Sequence, residues 1–411
     1  MSSGTESVTS PRTRELLGHR PFRMFLFGRA FSSFAYQIGA VAIGWQVYAL
    51  THSVLALGLV GLVQFLPSAG VTFFAGQAAD RFDRRCVAQV CQLIEGVAAM
   101  FLAWGSFAGW LNVAEIYAAV VVMSAARSFE NPAVGALLPA VVPGGFLQKG
   151  TAMSSSAFQA AAILGPALGG LIYALSPAAP YAAMAAAWVV SMLMAGALSV
   201  DRPVAPREPP TLKALFAGVE FVWRSPEILG IISLDLFAVV LGGATALLPV
   251  YARDILHTGP WGLGVLRGAP AVGALLVSAW MAHSPLSRRV GMRMFQAVIL
   301  YGLATIAFGL SRLLPLTVLA LFVMGAADMV SVVIRLSLVQ LRTPDEMRGR
   351  VGAVNFLFIN ASNQLGDFES GFTAALFGTV PAVVLGGAGT LAVALLWMRL
   401  FPALREVERL E

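Results

Sequence analysis

The chain alternates long apolar runs with short polar or charged breaks. A helix needs about 20 mostly apolar residues to cross the hydrocarbon core of a bilayer. Twelve stretches of that kind can be marked, over 22–50, 53–79, 86–110, 113–139, 152–175, 178–200, 227–251, 261–283, 292–311, 314–341, 351–378 and 381–400. The tracts 30–79 and 150–200 hold no Asp, Glu, Lys or Arg, and each is long enough for two spans joined by a tight turn. The pattern predicts an all-α membrane protein with twelve transmembrane helices.

Composition agrees. Of 411 residues, 58% are hydrophobic and 12% charged, about half the charged share of an ordinary soluble domain. The net charge of +6 does not point to nucleic acid, because the basic residues serve as loop anchors. They fall on the tails and the even-numbered breaks. Outside the spans, only Arg253 and Arg312 lie on the other side. Lys and Arg are retained on the cytosolic face, so both termini are expected in the cytosol and the chain in the plasma (inner) membrane. The first twenty residues carry Arg12, Arg14 and Arg20 and show no cleavable signal, so the first span is expected to be retained.

Little else suggests chemistry. Cys86 and Cys91 have no nearby His, so neither a structural disulfide nor a metal site is expected. His19, His52, His257 and His283 are isolated near span ends. No Gly-x-x-x-x-Gly-Lys-Ser/Thr loop occurs, which argues against ATP drive by this chain. The expectation is no enzyme activity, no cofactor and no metal.

The longest polar break is the proline-rich stretch 201–210. After it, Leu212, Leu215, Phe216, Val219, Val222 and Trp223 recur at helical spacing, with Lys213 and Glu220 opposite. This predicts an amphipathic helix on the membrane surface. The implied division is a tail over 1–21, a six-helix bundle over 22–200, a linker over 201–226, a second bundle over 227–401 and a tail over 402–411. Ala152-Met153-Ser154, Leu164-Gly165 and Gly170 match Ala353-Val354-Asn355, Leu365-Gly366 and Gly371 at one constant offset. That offset pairs the fifth span with the eleventh and makes the bundles pseudo-symmetric copies.

Ten charged residues fall in the interiors of spans, away from their ends: Arg29, Glu95, Arg127, Glu130, Asp235, Arg267, Asp328, Arg335, Asp367 and Glu369. Each would cost about 2.5–3.5 kcal/mol facing lipid at mid-membrane, so most must face a wet interior or one another. The first, fourth, seventh and tenth spans all carry charge, whereas the sixth, ninth and twelfth carry none in their interiors. A central cavity lined by the first helix of each group of three would produce this. Arg29, Arg127, Glu130, Asp235, Asp328, Arg335 and Asp367 are the candidates for a substrate or proton pathway, with Asp235 and Asp328 as candidate proton carriers. Arg127 and Glu130 can share a helix face, and so can Asp328 and Arg335. Either pair could be a self-satisfied ion pair instead. Asn360, Asn363, Asp367 and Ser370 form one polar face on the eleventh span, suited either to interhelical hydrogen bonds or to substrate.

Between the second and third spans lies Gly76-Gln77-Ala78-Ala79-Asp80-Arg81-Phe82-Asp83-Arg84-Arg85. A turn this charged must stand in water. Its Gly-x-x-x-Asp-Arg-x-x-Arg-Arg pattern resembles the signature loop of the major facilitator superfamily of secondary transporters. A reduced counterpart, Ser287-Arg288-Arg289, falls between the eighth and ninth spans. The resemblance implies that Gly76, Asp80, Arg81, Arg84 and Arg85 form a latch, with Asp80 at the N-terminus of the eleventh helix holding the outward-open state. Asp83 stands where the family usually has Gly. Gly165-Pro166-Ala167-Leu168-Gly169-Gly170 resembles the Gly-Pro-x-x-Gly-Gly motif of the superfamily's antiporters, and so implies packing roles for Gly165, Pro166, Gly169 and Gly170. Arg127, Glu130, Asn131 and Pro132, with Arg348-Gly349-Arg350 and Asn355, resemble the bacterial subgroup that includes the enterobactin exporter. The reading is a secondary transporter, a monomer, that exports a drug-like or siderophore-like small molecule against protons. The alternatives are uptake or facilitated diffusion of a metabolite, or a lipid-handling or sensor protein.

Overall fold

The computed structural model describes residues 13–198, 212–284 and 288–409, but not the side chains of 13–14, 212–216 and some positions near the end of the second span. The latch positions Gly76 and Asp80 lie in helical backbone whose surroundings are not described, and the proline-rich stretch 201–210 and Ser287 lie outside the described residues. Twelve long helices follow one another: α1 (Arg20–Thr51), α2 (Val54–Arg81), α3 (Arg84–Ala108), α4 (Val113–Val141), α5 (Leu147–Leu175), α6 (Ala179–Gly196), α7 (Pro226–Gly242), α8 (Gly259–His283), α9 (Val290–Leu310), α10 (Leu314–Arg342), α11 (Asp345–Phe377) and α12 (Thr379–Leu400). Among the described residues, nine of these segments are long and apolar enough to cross a membrane by length and composition alone. The other three are α1, α4 and α11. They are long enough, but they carry Arg29, the Arg127–Glu130 pair and the Asp367–Glu369 segment.

Local sequence sets the helix ends. Ser53 caps α2 by accepting from Ala56 N (3.3 Å), and Asp83 caps α3 by accepting from Arg85 N (2.9 Å). Asn112 and Glu115 form a reciprocal capping box on α4. Gly109 ends α3 in the left-handed region at φ 77°, where a side chain would be strained. α5 and α11 begin at Leu147 and Asp345, earlier than the apolar runs expected from 152 and 351, because helical hydrogen bonding continues past the bilayer into water. The seventh span differs most. Its α-helix stops at Gly242, and the chain then runs through a 3₁₀ turn (Thr245–Leu247), a short α turn (Leu248–Val250) and a π turn (Tyr251–Ile255). Gly242-Gly243 and Pro249 supply the breaks.

The packing is a repeat. In the first half α1 lies against α5 and α6, α3 against α4 and α6, and α2 against α4. In the second, α7 lies against α11 and α12, α9 against α10 and α12, and α8 against α10. Adding six to each helix number maps one half onto the other. The chain is therefore two pseudo-symmetric six-helix bundles, and they meet along α2–α11 and α5–α8. Within lipid such contacts depend on close packing, and glycines provide it. A Cβ on Gly58 would come 2.8 Å from Gly371 Cα, and one on Gly264 would come 2.6 Å from Pro166 O.

One end of the molecule carries the Arg81–Arg85 turn and is called the basic end below; the other is the far end. Gly58 and Gly371 on α2–α11, and Gly264 and Pro166 on α5–α8, close the halves towards the far end. The helix Leu212–Arg224 precedes α7 and packs against α11, where Gly218 meets Arg350. It buries Val222 and leaves Trp223, assigned by spacing to the same face, 73% exposed.

Candidate substrate cavity

A cavity lies between the halves. Its inner part has a volume of about 290 Å³ and its outer part about 450 Å³, within the roughly 300–1,000 Å³ of small-molecule pockets. Tyr36, Gln64, Ser124, Arg127, Asn360 and Gln364 line both parts, so the two adjoin. The inner part adds Glu95, Arg267, Asn363 and Asp367. The outer part adds apolar walls from Phe65, Ala69, Pro132, Ala353, Phe356 and Leu357. Those residues sit on the stretches of α2, α4 and α11 nearest the basic end, so the cavity widens in that direction. Charge is concentrated at its depth and apolar surface at its mouth.

α4 supplies the first wall. Arg127 lies over the Tyr36 ring of α1, 3.9 Å from its centroid, a cation–π contact. Its Nη1 stands 3.5 Å from Glu130 Oε2 and 4.0 Å from Glu95 Oε1, and makes a hydrogen bond to neither. Glu130 is buried and well supplied with donors. Ser32 Oγ (2.9 Å) and Gln92 Nε2 (2.8 Å) both donate to its Oε1. Arg29 shares the electrostatic surroundings of Glu130 and Arg127, and it lines a small separate cleft rather than the cavity. Opposite, Arg267 Nη1 on α8 donates to Ala40 O on α1 (3.1 Å), bridging the halves. Asp367 on α11 is its electrostatic partner.

The remaining predicted pathway residues gather elsewhere. Asp235 on α7 has no partner on its own helix but is ion-paired with Arg335 of α10. Asp328 stands 3.7 Å from the same guanidinium. The three line a small cleft in the second half with Tyr301 and Ser331, apart from the central cavity. Each half thus sets one arginine between two carboxylates: Arg127 with Glu95 and Glu130, and Arg335 with Asp235 and Asp328. On α11, Asn360, Asn363 and Asp367 face the cavity, while Ser370 donates to Gly243 O of α7. Glu369 accepts from Thr373 Oγ1 (2.6 Å).

In the charged turn, Arg84 Nη1 donates to Ala136 O (3.3 Å) and Arg85 Nη1 to Leu198 O (2.8 Å). Arg85 also pairs with Asp83 at 2.7 Å, and the hydrogen bond from its side chain holds the Asp83 carboxyl below the usual carboxylate range. Arg81 is exposed. The antiporter-like motif divides its contacts. Gly165 and Gly169 pack on α1, where a Cβ would come 2.6 Å from Gln37 Cβ and 3.0 Å from Ile38 O, whereas Gly170 and Pro166 pack on α8. At the far end Tyr48 of α1 donates to Asp254 in the π turn, a polar contact between the halves.

Sequence reasoning placed Glu95 and Arg267 in the membrane but not among the pathway residues. The available signal was their isolation: an acid on α3 and a base on α8, with no opposite charge within two helical turns on either helix, require partners across the bundle.

Residues 15–411 match the family described as transmembrane secretion effector. The chain belongs to this family of the major facilitator superfamily. The transporter is 28% identical to the enterobactin exporter EntS of Citrobacter koseri over 393 residues, covering 94% of this chain and 93% of that protein. It is 29% identical to the multidrug efflux pump Tap of Mycobacterium tuberculosis over 411 residues, covering 94% and 95%. Its fold is similar to a bacterial homologue of the lysosomal transporter Spinster, inward-facing and occupied, with TM-score 0.74 at 12% identity, covering 97% of this chain and 100% of that one. It is also similar to an inward-facing bacterial homologue of ferroportin, with TM-score 0.72 at 17% identity, covering 94% and 99%.

Proposed function

We propose that this transporter exports an amphipathic small molecule from the cytosol, coupled to protons, and that the conformation described is open to the cytosol. The observation that carries the reading is the graded cavity, charged and amide-rich at its depth and apolar at its mouth. Such a cavity suits a molecule with a polar or charged head and an apolar body, entering head first. The basic end is cytosolic by the distribution of Arg and Lys, which makes the mouth cytosolic and places both termini on that side. The bundles correspond to 22–200 and 227–401, and a single chain holds the whole cavity, which suits a monomer. The relatives named as exporters of a siderophore and of multiple drugs support the substrate class. The signature turn belongs to the opposite state in this scheme, closing the cytosolic mouth when the far end opens.

The test uses everted membrane vesicles carrying the full chain, an imposed acid interior and the dye ethidium. Dye uptake that collapses with a protonophore, and that Arg127→Ala abolishes while leaving the protein folded, supports the reading. Protonophore-insensitive equilibration of dye would replace export by antiport with facilitated diffusion.

A further inference from the structure

The inner cavity contains one carboxylate unlike the rest. Glu95 is 1% exposed, lines the cavity and has an Oε2 with no hydrogen-bond partner. Its other oxygen lies 4.0 Å from Arg127 Nη1. Glu130, competing for the same guanidinium at 3.5 Å, is already held by Ser32 and Gln92. The two acids are therefore not equivalent: one is held by donors, and the other depends on a single cation that it shares with its neighbour. An ionised carboxylate left without that cation or a donor would be costly inside the bundle.

We propose that Glu95, rather than Asp235 or Asp328, carries the exchanged proton, and that Arg127 moves between Glu95 and Glu130 as the proton comes and goes. With a proton on Glu95 Oε2, Arg127 belongs to Glu130. When the proton leaves to cavity water, Glu95 becomes a carboxylate and draws Arg127 towards itself. Tyr36 lies beneath the guanidinium throughout, so the movement re-aims a group that forms the substrate wall. The structure holds Arg127 between the two positions. This assignment rests on the export reading for its purpose but not for its chemistry.

The surroundings of Glu95 narrow the choice. α4 presents Arg127 and Glu130. α1 presents Tyr36 and, through its field on the Arg127–Glu130 pair, Arg29. α6 contributes the Trp188 indole and α2 the amide of Gln64, both uncharged. Its own helix adds Cys91, buried and within the electrostatic reach of both acids, and Gln92, which serves Glu130. Arg127 is thus the cation that approaches Glu95 within 4.0 Å among the described residues.

Two measurements test this, one independent of substrate. In the infrared difference spectrum of the purified full chain between acid and alkaline buffer, the wild type should show a carboxyl C=O band that Glu95→Gln removes. Glu95→Asp should shift that band, which covers the case in which the glutamine variant does not fold. In phosphatidylethanolamine–phosphatidylglycerol vesicles, ethidium should drive proton movement by the wild type, and the Glu95→Gln variant should lose it while still binding the dye. A band unchanged in both variants, or full dye-driven proton movement by Glu95→Gln, overturns the assignment. If the wild type moves no protons with ethidium while the band still follows Glu95, the export reading fails for this dye and the protonation site stands.

Discussion

Arg335 and Asp83 show how differently a charge acts inside and outside the bilayer. Arg335 is buried between Asp235 and Asp328, so removing Asp235 leaves a buried guanidinium with only its more distant acid. Asp235→Ala should destabilise the protein by about 3–5 kcal/mol, read as a lower midpoint in thermal unfolding in detergent. Asp83 stands in water, where an ion pair contributes little, but it also caps α3. Asp83→Ala should cost about 1 kcal/mol through the lost cap, and Asp83→Asn much less, because asparagine also caps. The carboxyl's pKa is lower in the folded chain than the roughly 3.9 of an unfolded one. Its contribution is therefore complete above that value and lost as pH falls through the folded value below it. At this scale the sequence was partly readable. It placed the acids and bases within the membrane, since each is a lone charge in an apolar run. It could not pair Asp235 with Arg335 or Glu95 with Arg127, because the pairing depends on how helices far apart in the chain are rotated against one another.

Among the elements, α5 and α8 carry the clearest dependence on shape. Gly264 meets Pro166, and Gly170 meets Pro260 and Trp261, so backbone lies on backbone towards the far end. Gly264→Val should prevent that approach, lower transport strongly and raise labelling of a cysteine introduced near Trp261, with little change in expression. The helical spans were legible from apolar length alone, and the antiporter-like motif of α5 contributes close contacts to two neighbours. Its division was not legible, because one glycine pair faces α1 and the next faces α8, a matter of helix rotation. For α7, apolar length predicts one span to 251. The Gly242-Gly243 and Pro249 breaks were visible in the chain, but apolar length carries no information on whether a hydrogen-bond ladder continues unbroken. Hence the π turn, and with it the Tyr48–Asp254 contact, emerged only from the fold.

Across the whole molecule, the two halves repeat one packing plan and one charge plan, an arginine between two acids in each. The internal repeat from Ala152 and Ala353 foreshadowed the first but not the second: the arginine and one acid lie on equivalent helices, α4 and α10, but the other acid lies on α3 in one half and on α7, the counterpart of α1, in the other. The repeat has a cost at the moment of synthesis. The three helices that fall short of the hydropathy of a span, α1, α4 and α11, carry charged or amide side chains of the cavity wall or the clusters beside it. A translocon judges each segment as it emerges, and one central Asp or Arg costs about as much as several leucines gain. Presented singly in a glycosylation-mapping insertion assay, α4 and α11 should therefore enter the bilayer less completely than α3 and α12, and each should recover when its following helix is supplied in the same segment. The cavity wall is thus the part of this chain expected to be accepted least readily by the membrane, entering as the companion of an oilier neighbour.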